Sequence, residues 1–263
     1  MAYFYDLNTK ITLPLNDKNR LLLSGYFGRD VVAFDNTFTN TYGNSVVNLR
    51  WNRIFSPKVF GNLSLIYSDY YYGLALDFVG FDWDSGIQNF NVKYDLSYNI
   101  SEKITLETGV QATYYSFNPG YIQPLTATSG FNTEQLQNKF AAEGSVYLSA
   151  KHDIAPKLAL HYGLRINQFN RLAQSGLLEY ANNQPLSYNP SLGIYQQGTA
   201  LGFYSKAESK QNYTNLEPRF TLAYRQERSA WKASYQRVNQ YLHLISNTTS
   251  PTPLDVWTPS GRY

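Results

Sequence analysis

The chain contains no cysteine, a single methionine and no apolar run of about 18 residues. The absence of cysteine excludes disulfides, thiolate nucleophiles and cysteine-ligated zinc. The absence of a long apolar run excludes a transmembrane helix. The formal net charge is +3, so the sequence has no basic footprint and we expect no nucleic-acid partner.

Aromatic residues, in contrast, are abundant: they make up 16% of the chain, and 24 residues are tyrosine. Apolar residues alternate with polar ones, as in ITLETGVQATYYSF (104–117), where Leu106 and Val110 share one face and Glu107 and Gln111 the other. This period of two indicates β-strands. Ten such runs occur, at about 2–14, 20–34, 44–55, 59–72, 90–100, 104–117, 137–153, 157–167, 212–226 and 229–240.

The connections between these runs alternate in length. Short turns at about 16–19, 56–58, 100–103, 154–157 and 227–229 alternate with long loops at about 35–43, 73–86, 118–136, 170–211 and 241–263. Outer-membrane barrels have short periplasmic turns and long external loops. The pattern therefore predicts an all-β, transmembrane, antiparallel up-and-down β-barrel, with residues 1–263 forming one partial barrel domain. A soluble β-domain is the alternative.

The direction of the strands predicts where the two ends of the chain lie. If the short turns are periplasmic, the first strand enters from outside and the last strand leads back outside. Barrels of this type normally begin and end in the periplasm, so we expect the chain to be an internal segment of a larger barrel.

Two stretches near the end of the chain, PRFTLAYRQERSAWKASYQRVN and QYLHLISNTTSPTPLDVWTPSG, resemble the barrel of TonB-dependent receptors of the Bacteroidetes type. This resemblance implies a 22-stranded barrel in the Gram-negative outer membrane, of which about ten strands are present here. It also implies import of a scarce ligand such as a siderophore, glycan or peptide. The implied partners are outer-membrane lipid, an N-terminal plug domain of the parent chain and the TonB–ExbB–ExbD system, reached through a TonB box that this sequence lacks.

A structural or adhesive β-protein, either soluble or exposed at the cell surface and without transport activity, is the alternative function. An upstream coding sequence for a plug domain would favour the receptor, and its absence would favour the alternative.

The candidate ligand-binding residues lie in two segments that we expect to be external loops. The stretch DYYYGLALDFVGFDWD offers aromatic faces with carboxylates beside them, and the final segment offers one tryptophan in a proline-rich stretch. We expect the final segment to be irregular, with its tryptophan docked on neighbouring loops or on the barrel mouth. The candidates are Tyr70, Tyr71, Tyr72, Asp82, Trp83, Asp84 and Trp257. An aromatic girdle is the competing interpretation of the first stretch.

The sequence offers little support for catalysis, a cofactor or a metal. His152 and His161 fall near the periplasmic end, and no acidic residue follows His243 until Asp255. A catalytic histidine needs a carboxylate within hydrogen-bond reach. Asp82 and Asp84 lack the glycine and the distal glutamate of a calcium loop. We therefore predict no enzyme activity, no cofactor and no metal site.

The faces of the strands can also be predicted from the alternation. We expect apolar side chains to point outward to lipid and polar side chains to point into the barrel. The outward set is Leu106, Val110, Leu160 and Leu164, and the inward set is Glu107, Gln111, His161 and Arg165.

Overall fold

The computed structural model describes residues 1–34, 37–172, 178–203, 209–245 and 255–261. Ten long strands form one antiparallel sheet. They are β1 (Ala2–Asn16), β2 (Asn19–Phe34), β3 (Phe38–Ser56), β4 (Val59–Leu76), β5 (Phe81–Ser101), β6 (Ile104–Pro124), β8 (Lys139–Ala155), β9 (Leu158–Leu172), β14 (Ser209–Arg225) and β15 (Ala230–Gln236).

The remaining elements are short. The two-residue strand β7 (Glu134–Gln135) pairs with β6, and a 3₁₀ turn spans Ala181–Asn183. Three hairpins lie outside the main sheet, formed by β10 (Leu178–Tyr180) with β13 (Ala200–Phe203), β11 (Leu186–Asn189) with β12 (Ile194–Gln197), and β16 (Leu242–Ile245) with β17 (Val256–Pro259).

Within the described ranges, no helix has the length and apolar character needed to cross a bilayer.

The long strands follow one another in space in the order in which they occur in the chain, which is the up-and-down arrangement predicted from the sequence. Strand β9 pairs along its length with β14, although the chain between them contains four short strands. The path begins at β1 and ends at β15, and in the described part of the chain these two strands are not paired with each other. The main sheet therefore has two open edges among the strands that the structure describes.

The external loops are shorter than predicted. Strand β3 begins at Phe38, strands β4 and β5 are separated only by residues 77–80, and β6 continues to Pro124. The predicted loops at 35–43, 73–86 and 118–136 were therefore wrong over much of their length. Strands of 18–21 residues exceed the 9–11 that cross a bilayer, so their outer ends extend beyond the membrane.

The sheet has one polar and one apolar face, as the alternation predicted. On the face that we call inner, Lys151 pairs with Glu107 at 2.6 Å and the Tyr147 hydroxyl donates to Asp95 at 2.6 Å. On the opposite, outer face, Val110 is 53% exposed and Leu164 is 45% exposed. Apolar side chains left uncovered on a regular sheet are typical of the lipid-facing surface of a membrane barrel.

Candidate ligand site on the inner face

The predicted site residues lie in strands rather than in an external loop, which corrects the sequence interpretation. Tyr70, Tyr71 and Tyr72 belong to β4, whereas Asp82, Trp83 and Asp84 belong to β5. Successive residues of a strand point to opposite faces, so the two strands cannot present all six side chains to one ligand.

The inner face receives Tyr70, Tyr72 and Trp83. In the pairing of β4 with β5, Leu74 lies opposite Trp83 and Tyr72 lies opposite Ser85. Tyr72, Leu74, Trp83 and Phe81 form a buried cluster, with Tyr70 and Val256 packed against it. Tyr72 is fully buried, and its ring lies 5.2 Å from that of Tyr42.

The other three strand residues point the opposite way. The Tyr71 ring lies over Gly43, where a Cβ atom would have no room, and the Asp84 carboxylate lies beside Gly73. Asp82 occupies the same face two residues away. These three residues are therefore separated from Tyr70, Tyr72 and Trp83 by the thickness of the sheet.

The hairpin β16–β17 covers the inner-face aromatics. Leu244 lies opposite Trp257 and Ile245 opposite Val256, so the segment 256–259 is a strand and the prediction of an irregular chain was wrong there. Residues 246–254 lie outside the described ranges. Pro259 pairs with Leu242 at the end of this two-stranded hairpin, a position that tolerates a missing donor.

Trp257 docks as predicted, but on the inner wall. Its ring meets that of Tyr70 edge-on with centroids 6.2 Å apart. The Ser85 hydroxyl donates to the Asp255 carbonyl at 2.7 Å, and the Lys139 Nζ donates to Thr258 Oγ1 at 3.1 Å. Two hydrogen bonds and an aromatic contact thus hold the hairpin against β4, β5 and β8.

A second aromatic cluster continues the first along the inner wall. Phe117, Ala141, Phe169 and Tyr241 are buried together, and Trp257 packs against them. The Phe169 and Tyr241 rings stack at 4.7 Å with 8° between their planes. The Tyr241 hydroxyl accepts a hydrogen bond from Asn215 Nδ2 at 2.8 Å, so the polar end of this ring is satisfied.

Trp83 and Trp257 each keep one buried polar atom without a partner. Within the described residues, neither indole Nε1 makes a hydrogen bond. A buried N–H group without an acceptor carries a desolvation cost. An oxygen acceptor brought within hydrogen-bond distance of either donor would remove that cost.

Below the aromatics, the inner wall is lined by hydrogen-bonded charges. Glu143 accepts from the Tyr115 hydroxyl at 3.1 Å and from Asn167 Nδ2 at 2.8 Å. Glu217 is 2% exposed and accepts from the backbone N–H of Asn239 at 3.0 Å. Arg165 lies 4.0 Å from Glu217 and donates to Gln111 at 3.4 Å. The prediction that Glu107, Gln111 and Arg165 face inward is confirmed.

The acidic pair on the outer face shows perturbed ionisation. Both residues lie beside the short loop at 77–80, beyond the membrane-spanning part of β5. Local desolvation raises the pKa of the Asp84 carboxyl, and the neighbouring charge of Asp82 raises it further. In the part of the chain that the structure describes, no three acidic or histidine side chains converge in a way that could hold a metal ion.

Sequence reasoning missed Phe117, Phe169, Tyr241 and Lys139. Each belongs to a run that was identified correctly or lies just beyond its end, but alternation only assigns a face. Their meeting with Trp257 depends on which strands are neighbours and on where the final hairpin docks, and no local signal in the sequence carries that information.

The sequence matches no protein-family model. No curated protein is similar to it in sequence. Solved structures, however, share its fold. The copper transporter OprC superposes with a TM-score of 0.63 at 10% identity, over 89% of this chain and 37% of the transporter. The alcaligin outer membrane receptor FauA from Bordetella pertussis gives 0.60 at 11% identity, over 92% and 36%.

A third similar structure is the ferric-catecholate import receptor Fiu from E. coli K12, with a TM-score of 0.58 at 10% identity, over 89% of this chain and 46% of the receptor. The chain therefore spans between about a third and a half of the length of these proteins. It has the fold of a segment of an outer-membrane receptor barrel. At these identities the similarity establishes the fold, and the predicted family resemblance is supported at that level.

Proposed function

We propose that the chain is a barrel segment of a TonB-dependent receptor of the Bacteroidetes type, which imports a scarce nutrient across the Gram-negative outer membrane. The observation that carries this proposal is the pair of aromatic clusters at the external end of the inner wall, covered by the hairpin β16–β17. A ligand entering the barrel from outside would first meet the hairpin that covers these buried residues.

The side chains present support binding rather than a reaction. The described site offers aromatic faces, two unsatisfied indole donors and the ammonium group of Lys139. Such surfaces bind ring-bearing ligands through stacking, with a few polar groups that fix orientation. A siderophore, glycan or peptide would suit this chemistry. OprC, FauA and Fiu are described as transporters or receptors, which agrees with a non-enzymatic role.

The polar wall below the site supports the proposed partner inside the barrel. Its hydrogen-bonded charges would face a soluble plug domain of the parent chain rather than lipid. In this proposal the apolar outer face contacts outer-membrane lipid, and the TonB–ExbB–ExbD system acts through a TonB box in the parent chain.

Two measurements test the proposal. The DNA upstream of the codon for Met1 should encode a plug domain of roughly 100 or more residues, in keeping with domains of typical size. The complete gene product, expressed in a Gram-negative host, should fractionate with the outer membrane. Recovery of the product in the soluble fraction, with no plug encoded, would favour a structural or adhesive β-protein instead.

A further inference from the structure

Four turns at one end of the sheet share a sequence pattern that the proposed import function does not use. Each consists of an exposed apolar residue, a small residue, a variable residue and a lysine. They read LNDK at 15–18, FSPK at 55–58, ISEK at 100–103 and IAPK at 154–157. These turns join β1 to β2, β3 to β4, β5 to β6 and β8 to β9.

The four turns also share a backbone geometry that fixes the lysine. In each, the lysine carbonyl accepts a hydrogen bond at 2.8 Å from a backbone N–H of the strand beyond the hairpin. The accepting and donating residues are Lys18 and Ile54, Lys58 and Asn99, Lys103 and Asp153, and Lys157 and Arg225. In three turns the lysine backbone N–H also donates a hydrogen bond to the side-chain oxygen of the small residue, which is Asn16, Ser56 or Ser101.

The apolar residue of each turn sits at a register shift. The shifts fall between Pro14 and Asn16, and at the equivalent places in β3, β5 and β8. Each shift leaves one residue out of the ladder, and such a bulge redirects its side chain. These residues follow the outer-face alternation and remain exposed, at 52% for Leu15, 44% for Phe55, 39% for Ile100 and 47% for Ile154.

The lysines form an evenly spaced row. The turns occur at every second strand of the sheet, and neighbouring strands lie about 4.8 Å apart, so adjacent lysines are about 10 Å apart along the rim. All four lysines are exposed, and within the described residues none of them takes part in an ion pair. The Lys58 ammonium group donates a long hydrogen bond of 3.4 Å to the Ile100 carbonyl of the next turn. The fifth short connection, at 226–229, does not repeat the pattern.

We propose that this row binds the phosphate groups of the phospholipid leaflet at the turn end of the barrel. In each turn the ammonium group would contact a headgroup phosphate while the apolar side chain enters the acyl region beside it. The lysine ammonium group binds phosphate as a compact positive charge. Its flexible aliphatic stem can lie along an apolar surface while the ammonium group extends to the level of the lipid headgroups. The inference rests on the proposed membrane barrel, because a soluble protein would gain nothing from pairing each lysine with an exposed apolar residue.

The aromatic residues of the same rim support this placement. On the outer face near these turns, Arg53 lies over the rings of Trp51 and Phe55 at 5.6 and 5.0 Å. Tyr98 and Trp231 are exposed there as well. Aromatic rings with neighbouring cations are typical of the level of a membrane interface, where phosphates lie.

The test compares two fourfold variants of the full chain in a neutral detergent. The rim variant carries K18Q, K58Q, K103Q and K157Q, and the control carries K10Q, K93Q, K151Q and K232Q on the inner face, so both lose the same charge. Native mass spectrometry during titration with phosphatidylglycerol or phosphatidylcholine counts the lipids retained. Each surface lysine contributes about fivefold to the binding of anionic lipid.

We expect the rim variant to bind phosphatidylglycerol at least tenfold more weakly than the unmutated chain, and the control to bind it as the unmutated chain does. Added salt should reduce the difference between the two variants. A fourfold Lys→Arg rim variant should retain binding. Serine at positions 15, 55, 100 and 154 should reduce retention of both lipids, because it removes the apolar contact and leaves the charge.

Three results would overturn the inference. Equal phosphatidylglycerol binding by the rim variant and the unmutated chain would show that the row of lysines does not hold lipid. Equal losses in both fourfold variants would show that net charge alone is responsible. Displacement of the lipid by polyglutamate at matched charge would indicate an acidic protein partner. Failure of the unmutated chain to enter micelles or vesicles is a different result, since it would also refute the proposed membrane barrel.

Discussion

At the scale of single residues, Trp257 connects the final hairpin to the sheet. It touches Tyr70 in one aromatic group and packs against the other, while the ten long strands pair without it. We expect Trp257→Ala to release β16–β17 and to weaken ligand uptake by the complete receptor. The midpoint of urea unfolding of the barrel should change little, because the main ladders remain intact.

The control is Trp257→Phe, which keeps an aromatic ring and removes the indole N–H. It should preserve docking, and any uptake it loses would report on the unsatisfied Nε1. A large fall in unfolding free energy with unchanged uptake would instead make Trp257 a packing residue only.

A second prediction concerns Asp84. Its pKa is raised in the folded protein, so the folded state binds protons more readily than the unfolded state and the ionised carboxylate destabilises the fold. That cost is complete above the raised pKa and disappears as the pH falls below the unfolded value of about 3.9. Asp84→Asn should therefore stabilise the barrel at neutral pH and have little effect in acid.

The measurement is urea unfolding of the two proteins over a pH series. Asp6→Asn on exposed β1, a strand whose residues are all open to solvent, serves as the matched control. A stabilisation by Asp84→Asn that is equal at neutral and acidic pH would argue against the ionisation mechanism.

At the scale of elements, strand β9 has one side for lipid and one for the interior. Leu164 is exposed on the outer face and lies seven residues into this 15-residue strand, near the middle of the membrane span. Leu164→Arg should cost about 2–4 kcal/mol, the usual range for a charge at the bilayer midplane. Leu160→Arg, near the turn, should cost only about 0–1 kcal/mol.

A control on the inner face separates the effect of exposing a charge to lipid from the effect of adding a charge anywhere on the sheet. Ser149→Arg places the same side chain close to Glu107, whose backbone carbonyl Ser149 already contacts, and should cost little. Gln111→Arg is less suitable because Gln111 accepts a hydrogen bond from Arg165. Unfolding in lipid vesicles measures all three variants, and equal losses for Leu164→Arg and Ser149→Arg would mean that the faces are assigned wrongly.

At the scale of the whole molecule, the two open edges govern behaviour in solution. Strand β1 is exposed along its 15 residues. Among the described strands, β1 pairs only with β2 and β15 pairs only with β14, so each leaves one backbone edge without a partner strand. Unpaired strands beside an apolar face promote association. We expect this chain to be monodisperse in detergent and to aggregate without it, as measured by light scattering. A detergent-free monomer at high concentration would favour a soluble fold.

Much of the fold could be predicted because alternation is a local property. The run predicted at 104–117 became β6, and the turns at 100–103 and 154–157 lie where the sequence placed them. The loop at 73–86 could not be predicted, because its glycine and aspartate residues suggest a loop while pairing between β4 and β5 extends both strands. Cross-strand hydrogen bonds outweighed local propensity there.

The sequence by itself determined the ten main strands of the sheet, the two faces and the turn lysines, since each depends on residues close together in the chain. Only the tertiary structure decided that Tyr71, Asp82 and Asp84 are separated from Tyr70, Tyr72 and Trp83, because the face of a residue near a strand end depends on how far the ladder extends. It also decided that Trp257 meets Tyr70, 187 residues earlier in the chain. A contact between such distant residues depends on the order of the strands in the sheet, which alternation does not encode.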